Sequence, residues 1–465
     1  MFFQTWTFAI FVLIFYPVYL AVKGTRLRTL WLLVASYVFY GWLSPVYVVW
    51  LVYATVVDYL MVLGMSRSRV KWPWLLGSVV NDIGMLALFK FVGPAAGLLG
   101  KAVAGVLNIP LAQLGVHFTV PDPGALLPAG MSFYIFQSLT YTIGCYRGKV
   151  ERETSFLNYA AFVAMFPQLL MGPIERAGNL LPQLRRVPTI SRQDIADGLS
   201  LFVVGMFKKV ILADSLGKYV DNVYSVPASA EAPALLLATF AFAWHIYFDF
   251  SGYSDMARGV ARALGIRLML NFDNPYLATG LGDFWRRWHI SLSTWFRDYV
   301  YIPLGGSRGG TFATYRNIFL TLVLSGLWHA SGNCLIWGVL HGLGYVLTRR
   351  MEESAFYQQR VPRVLKTLWV FLFVSFAWIF FHTSSFAEAW LIITRIARFA
   401  WADPKFPLVF LGLVLAVWAY QWLHASPLRG LLNAAPVRVG IVVAILLCLA
   451  MFTPSGVRPF VYLQF

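Results

Sequence analysis

An all-α protein that crosses a membrane many times is the fold class this sequence predicts, on three observations. Of 465 residues, 59% are hydrophobic and only 12% charged, roughly half the charged share of a soluble chain. Apolar runs approaching the ~20 residues needed to cross hydrocarbon recur from end to end. No long hydrophilic tract separates them, so residues 1–465 read as a single integral-membrane domain.

The first run, Thr5–Val22, has no basic region before it and no small-residue cleavage site after it. It reads as a retained transmembrane helix rather than a signal peptide. Thr29–Trp42, Pro45–Met65 and Trp72–Val92 follow, then Phe156–Met171, Leu199–Leu216 and Ala234–Phe250. The later runs are Asn317–Trp328, Leu335–Leu347, Val364–Phe381, Pro407–Leu423 and Val437–Phe452. Several fall short of a full bilayer, which suggests tilted or re-entrant pieces and about eleven spans. Two further re-entrant candidates are Pro128–Tyr134 and Met171–Arg176, where Gly172-Pro173 ends an apolar run.

Charge sets an orientation. Lys23, Arg26 and Arg28 follow the first helix, and Arg67, Arg69 and Lys71 the third, whereas the Trp42–Pro45 turn is uncharged. The positive-inside rule then places the N-terminus outside and the basic loops in the cytoplasm. In that setting the net charge of +17 belongs to loops at a lipid surface rather than to nucleic-acid binding. Part of it can attract an anionic donor. Cys145, Cys334 and Cys448 each stand alone and form neither a disulfide framework nor a metal cluster. No internal duplication marks an inverted-repeat transporter.

The chemistry-bearing residues are embedded among aromatics. Asp283 is a plausible N-cap for a helix running through Val300. Its period puts Trp285, Trp288, Leu292, Trp295, Phe296 and Tyr299 on one face, beside a stripe of Arg286, Ser293 and Arg297, with His289 on the border. Such a helix is either an interfacial anchor or a donor site, with Arg286 and Arg287 on phosphates and His289 lining a channel. The glycine-rich turn Pro303–Gly310 lacks the Gly-Lys-Ser/Thr of a phosphate loop and reads as a tight surface turn. His329 ends an apolar run after Trp328 and precedes Asn333. An ionisable group there is either a core histidine held by a carbonyl or a functional one. For His341 a structural hydrogen bond is the favoured reading. His245 and Asp249, four apart on a helix, would form a catalytic dyad or leave Asp249 to a neutralising ion pair or cap. His117, His382 and His424 sit near segment ends and read as interfacial. No His/Asp/Glu spacing supports a metal site, and no Gly-x-Ser-x-Gly elbow supports a serine hydrolase.

Three ordered stretches carry a resemblance: Tyr247–Ala257, which includes Asp249 and Asp255, then Phe284–Trp295, then Gly326–His329. Together with Ala35–Tyr40 and Pro459–Phe465 they resemble the membrane-bound O-acyltransferases (MBOAT), and more narrowly their bacterial alginate O-acetyltransferase branch. The resemblance implies a helical bundle around a central tunnel in the bacterial inner membrane. It implies an acetyl-coenzyme A donor from the cytoplasm, no permanently bound cofactor, and a polysaccharide acceptor or periplasmic acetyltransferase partner outside. His329 matches the family's catalytic histidine and His289 its second motif histidine. Trp285, Trp288, Ser293, Trp328 and Asn333 are expected near the donor with Arg286 and Arg287, and Asp249, Asp255 and His341 in support. Two departures stand out: Ala330 replaces the glycine that usually follows Trp-His, and His245 lies outside the motif. Direct transfer and an acyl-histidine intermediate both remain open at His329. So do alginate, peptidoglycan and cellulose as acceptors, D-alanyl transfer to teichoic acid, and, from another class, a non-catalytic acyl or glycan transporter.

Overall fold

The computed structural model describes residues 1–91, 128–432, 434–452 and 458–461, with the isolated positions 102 and 106. Among them the regular structure is helical, without a strand. Four helices are long and apolar enough to span a bilayer: Pro45–Arg67, Trp72–Phe91, Ala232–Ala263 and Arg363–His382. Trp6–Val22, Leu27–Gly41, Leu408–His424 and Pro436–Phe452 are apolar but shorter. The chain is a multi-pass membrane protein.

Two of the expected spans are not single helices. Phe156–Met171 breaks at Met165, whose ψ of 114° ends the Phe156–Ala164 helix before the short Phe166–Leu169 turn begins. Ser36 Oγ accepts the Phe166 N–H at 3.0 Å, so the freed donor is satisfied. Leu199–Leu216 divides into Arg192–Met206, a π-helical segment Phe207–Ala213 and Asp214–Tyr224. The Pro128–Tyr134 stretch is the entry to a buried helix, Met131–Tyr146, which starts at Gly130 with φ +78°. Met171–Arg176 is irregular and buried up to Glu175, which accepts from Asn179 Nδ2 at 2.7 Å and from the Met269 N–H at 2.5 Å. His117 lies outside the described residues.

Two compact units divide the chain. One comprises 1–202 and 254–269, the other 203–253 and 270–465. The first has an aromatic core in which Phe11 and Phe15 each meet Phe166 edge-on at 5.2 Å. Its buried Arg28 donates to the carbonyls of Leu184 and Arg186. The second unit carries the tryptophan-rich stretches and the six described histidines, His245, His289, His329, His341, His382 and His424.

Candidate active site

The site in the second unit is built on a helical hairpin. Gly310–Trp328 and Gly332–Glu353 pack backbone to backbone, because a Cβ at Gly326 would meet the Cys334 carbonyl at 2.5 Å and Gly338 Cα at 3.0 Å. Small residues permit such approach between helices in a membrane. His329 caps the first helix and is 7% exposed. Its ring lies 4.5 Å from Trp328, 4.7 Å from Phe381 and 5.9 Å from Trp337. Ala330 follows with φ +59°. This is the left-handed position after a helix end that glycine fills without strain, so the departure from glycine has a backbone cost rather than only a steric one.

Along the second helix, Asn333, Trp337, His341, Tyr345 and Arg349 recur every four residues and form one slowly turning stripe. Asn333 Nδ2 donates to the Thr383 carbonyl and hydroxyl, both at 2.9 Å, tying the hairpin turn to the end of Arg363–His382. His341 is fully buried, its ring 4.9 Å from Trp337 and 5.2 Å from Trp285. Neither of its ring nitrogens, nor the indole N–H of Trp285 or Trp337, has a hydrogen-bond partner among the described residues. The structural hydrogen bond expected for His341 is therefore not made there.

The expected helix from Asp283 through Val300 is interrupted. Leu281–Arg287 ends, Trp288 is extended, His289 takes φ +42°, and Ile290–Phe296 begins, followed by a π turn at Arg297–Tyr301. The cause lies outside the segment. Asn271 accepts the Ile290 N–H on its carbonyl at 2.8 Å and the Ser291 hydroxyl on its side chain at 2.9 Å. Asn271 thus satisfies donors that a new helix start exposes. Ser293 Oγ donates to the Trp288 carbonyl at 2.9 Å across the break. Gly280, not Asp283, is the N-cap. The break also dissolves the expected aromatic face. Trp288 is buried among Phe272, Phe284 and Trp378 at 5.1–5.6 Å. His289 is buried with its ring 4.5 Å from Phe250. A non-glycine residue held at positive φ is strained, which marks His289 as a position the surrounding structure over-determines.

Beside this break lies a cavity of about 480 Å³, within the usual range for a small-molecule site. Trp285, Arg286, Ser293, Arg297, Tyr345 and Arg349 are among its lining residues. The polar stripe expected from spacing, Arg286, Ser293 and Arg297, thus does converge. Arg349 and Tyr345 were not anticipated, although their four-residue spacing from His341 was the available signal. Arg286 is largely exposed, 3.7 Å from Asp283. Arg287 does not line the cavity; it is engaged by Asp283 at 3.0 Å and Asp273 at 3.6 Å.

Asp249 is paired elsewhere than with His245. Lys209, fully buried, sits 2.7 Å from Asp249 and 2.8 Å from Asp214, and Asp249 also accepts the Val461 N–H at 2.7 Å. His245 Nδ1 donates instead to the Ala213 carbonyl at 2.7 Å. Of the two alternatives, the neutralising ion pair is the one formed, with a lysine that no spacing in the sequence singles out. Asp255 belongs to the first unit, where it lies 3.5 Å from Arg258. No group of three or more His, Cys, Asp or Glu suited to a metal occurs among the described residues.

Comparison with known proteins bears on this arrangement. The model of MBOAT, the membrane-bound O-acyltransferase family, matches residues 147–390. The chain is 37% identical to the probable alginate O-acetylase AlgI of Pseudomonas aeruginosa, over 97% of this chain and 81% of that one. It is also 37% identical to the Azotobacter vinelandii protein described in the same words, over 90% and 86%. Identity to the peptidoglycan O-acetyltransferase of Helicobacter pylori is 30%, over 79% and 73%.

Proposed function

The chain belongs to the membrane-bound O-acyltransferase family, and from that premise we propose that it O-acetylates an exopolysaccharide such as alginate. The acetyl group comes from acetyl-coenzyme A at the cytoplasmic face of a bacterial inner membrane, with the N-terminus outside. It reaches the polymer directly or through a periplasmic acetyltransferase. The observation that supports the reading is the geometry of one helical hairpin. His329 stands at its turn, and Arg349 of the same second helix lines a cavity with two further arginines.

Each group then has a task. Arg286, Arg297 and Arg349 suit the phosphates of the donor, since guanidinium groups pair with them bidentately. Between Arg349 and Trp337, twelve residues of helix rise about 18 Å. His341, Trp285 and Trp337 offer polar groups along that path to a donor chain reaching toward His329. His329 takes the acceptor's hydroxyl proton as its oxygen attacks the acetyl carbonyl carbon. The carbon–sulfur bond breaks, and the imidazolium returns the proton to the departing thiolate. Such general-base help is worth ~10²–10⁴-fold. His289, fixed in its strained turn, orients the loop that carries Arg286 and Ser293.

Similarity to a peptidoglycan O-acetyltransferase supports a second acceptor. Purified protein given acetyl-labelled coenzyme A and either polymer separates these readings. Label appearing as ester on alginate supports the first, and on glycan strands alone the second. Movement of intact donor across proteoliposomes without thioester cleavage would refute an enzyme of this kind.

A further inference from the structure

The first unit holds a polar cluster that acyl transfer does not use. Asp58 lies near the middle of Pro45–Arg67 and Asp82 near the middle of Trp72–Phe91, both of spanning length. Each carboxyl is completely buried. Asp58 accepts from Ser78 Oγ at 2.6 Å on one oxygen and from Ser138 Oγ on the other. Ser138 is in turn 2.6 Å from the Tyr159 hydroxyl, and Ser78 3.3 Å from Thr142. No lysine, arginine or histidine pairs with either acid among the described residues. The ionisable group that joins the cluster by hydrogen bonding is instead a tyrosine, Tyr159 of Phe156–Ala164, and Tyr134 of Met131–Tyr146 is buried in the same unit.

Two buried anions side by side without a cation are prohibitively costly. The geometry locates the remedy. Ser78, which donates to Asp58, stands one helical turn before Asp82 on Trp72–Phe91, so both carboxyls belong to one buried cluster. Asp58 spends both oxygens accepting hydroxyl donors. Asp82 accepts on Oδ1 from Asn81 Nδ2 at 3.3 Å, while its Oδ2 meets no donor among the described residues. The hydroxyl of Tyr134, a residue only 1% exposed, is likewise without a partner there.

We propose that the Asp58–Asp82 pair is a proton-binding site within the first unit, with the proton resident on Asp82 Oδ2. The two acids then act unequally. Asp58 is the acceptor that gathers Ser78, Ser138 and, through Ser138, Tyr159; Asp82 carries the proton. The folded site holds a proton that the unfolded chain releases within the ordinary carboxyl range, about pH 4. Where the folded state holds one more proton than the unfolded one, stability falls as pH rises, tenfold in the folding equilibrium per pH unit.

The test compares full-length wild type with Asp82→Asn and Asp58→Asn in detergent, by infrared spectroscopy and by thermal unfolding across pH. Wild type should show a protonated-carboxyl band at neutral pH that Asp82→Asn removes. Asp82→Asn, whose amide still donates, should fold and lose the extra fall in stability with rising pH. Asp58→Asn should be the more damaging exchange, because an amide cannot accept from both serines. Absence of the wild-type band, which needs no variant to fold, overturns the proposal. So does a reversed order of the two variants, or stabilisation specific to sodium over potassium, which would make this an alkali-cation site.

Discussion

Replacing Gly338 by alanine places a methyl carbon 2.7 Å from the Leu322 carbonyl and 3.0 Å from Gly326 Cα. Both neighbours are backbone, so neither can swing aside as a side-chain tip would. Moving from 2.7 Å to the 3.4 Å at which ordinary contact begins parts the hairpin by about 0.7 Å. Overpacking of this kind costs ~1–3 kcal/mol. Alanine's helix preference works in the opposite direction by ~0.8–1 kcal/mol, so any observed loss understates the clash. His329 stands three residues beyond Gly326, at the turn of this hairpin. A misplacement approaching 1 Å can lower a rate by ~10²-fold. Thermal unfolding in detergent and acetyl-transfer rates measure the two effects separately. Gly332→Ala is the control, because nothing lies within 4 Å of its added Cβ. If Gly338→Ala raised the melting temperature and left the rate intact, the close-packed hairpin would not be what positions His329.

Three further predictions follow from the same geometry. Lys209→Met leaves Asp214 and Asp249 buried without their cation and should cost ~3–5 kcal/mol in denaturant titration; adding Asp214→Asn and Asp249→Asn should recover much of it, and a loss under ~1 kcal/mol would contradict the pairing. Ala330→Gly relieves a left-handed alanine at some expense in chain entropy, so the melting temperature should rise, corresponding to at most ~1 kcal/mol. Asn333→Ala removes two hydrogen bonds to Thr383 and should destabilise by ~2 kcal/mol, read by the same unfolding assay.

Apolar runs located most of the helices because a spanning helix needs little besides length and hydrophobicity, as Pro45–Arg67 and Arg363–His382 illustrate. The interruption at Trp288-His289 was not readable, since Asn271, eighteen residues before His289, imposes it through hydrogen bonds rather than through a local helix breaker. Asp249 carried a legible warning of a buried charge, but its partner Lys209 stands forty residues away on a π-helical segment that no pattern announces. The Asp58–Asp82 pair was overlooked although single acids within apolar helices are themselves a signal. His329 and His341 both lie among the aromatic rings that surround them in the sequence. The four-residue stripe that reaches Arg349 was present in the sequence and needed only to be counted.

The proposed acyl transfer depends on His329 as its base. Initial rates of acetyl transfer from coenzyme A to polymer by purified, folded His329→Ala and wild type test it most directly. A loss of ~10²–10⁴-fold or more, with the unfolding curve preserved, is the result predicted. A rate within a few-fold of wild type would contradict it.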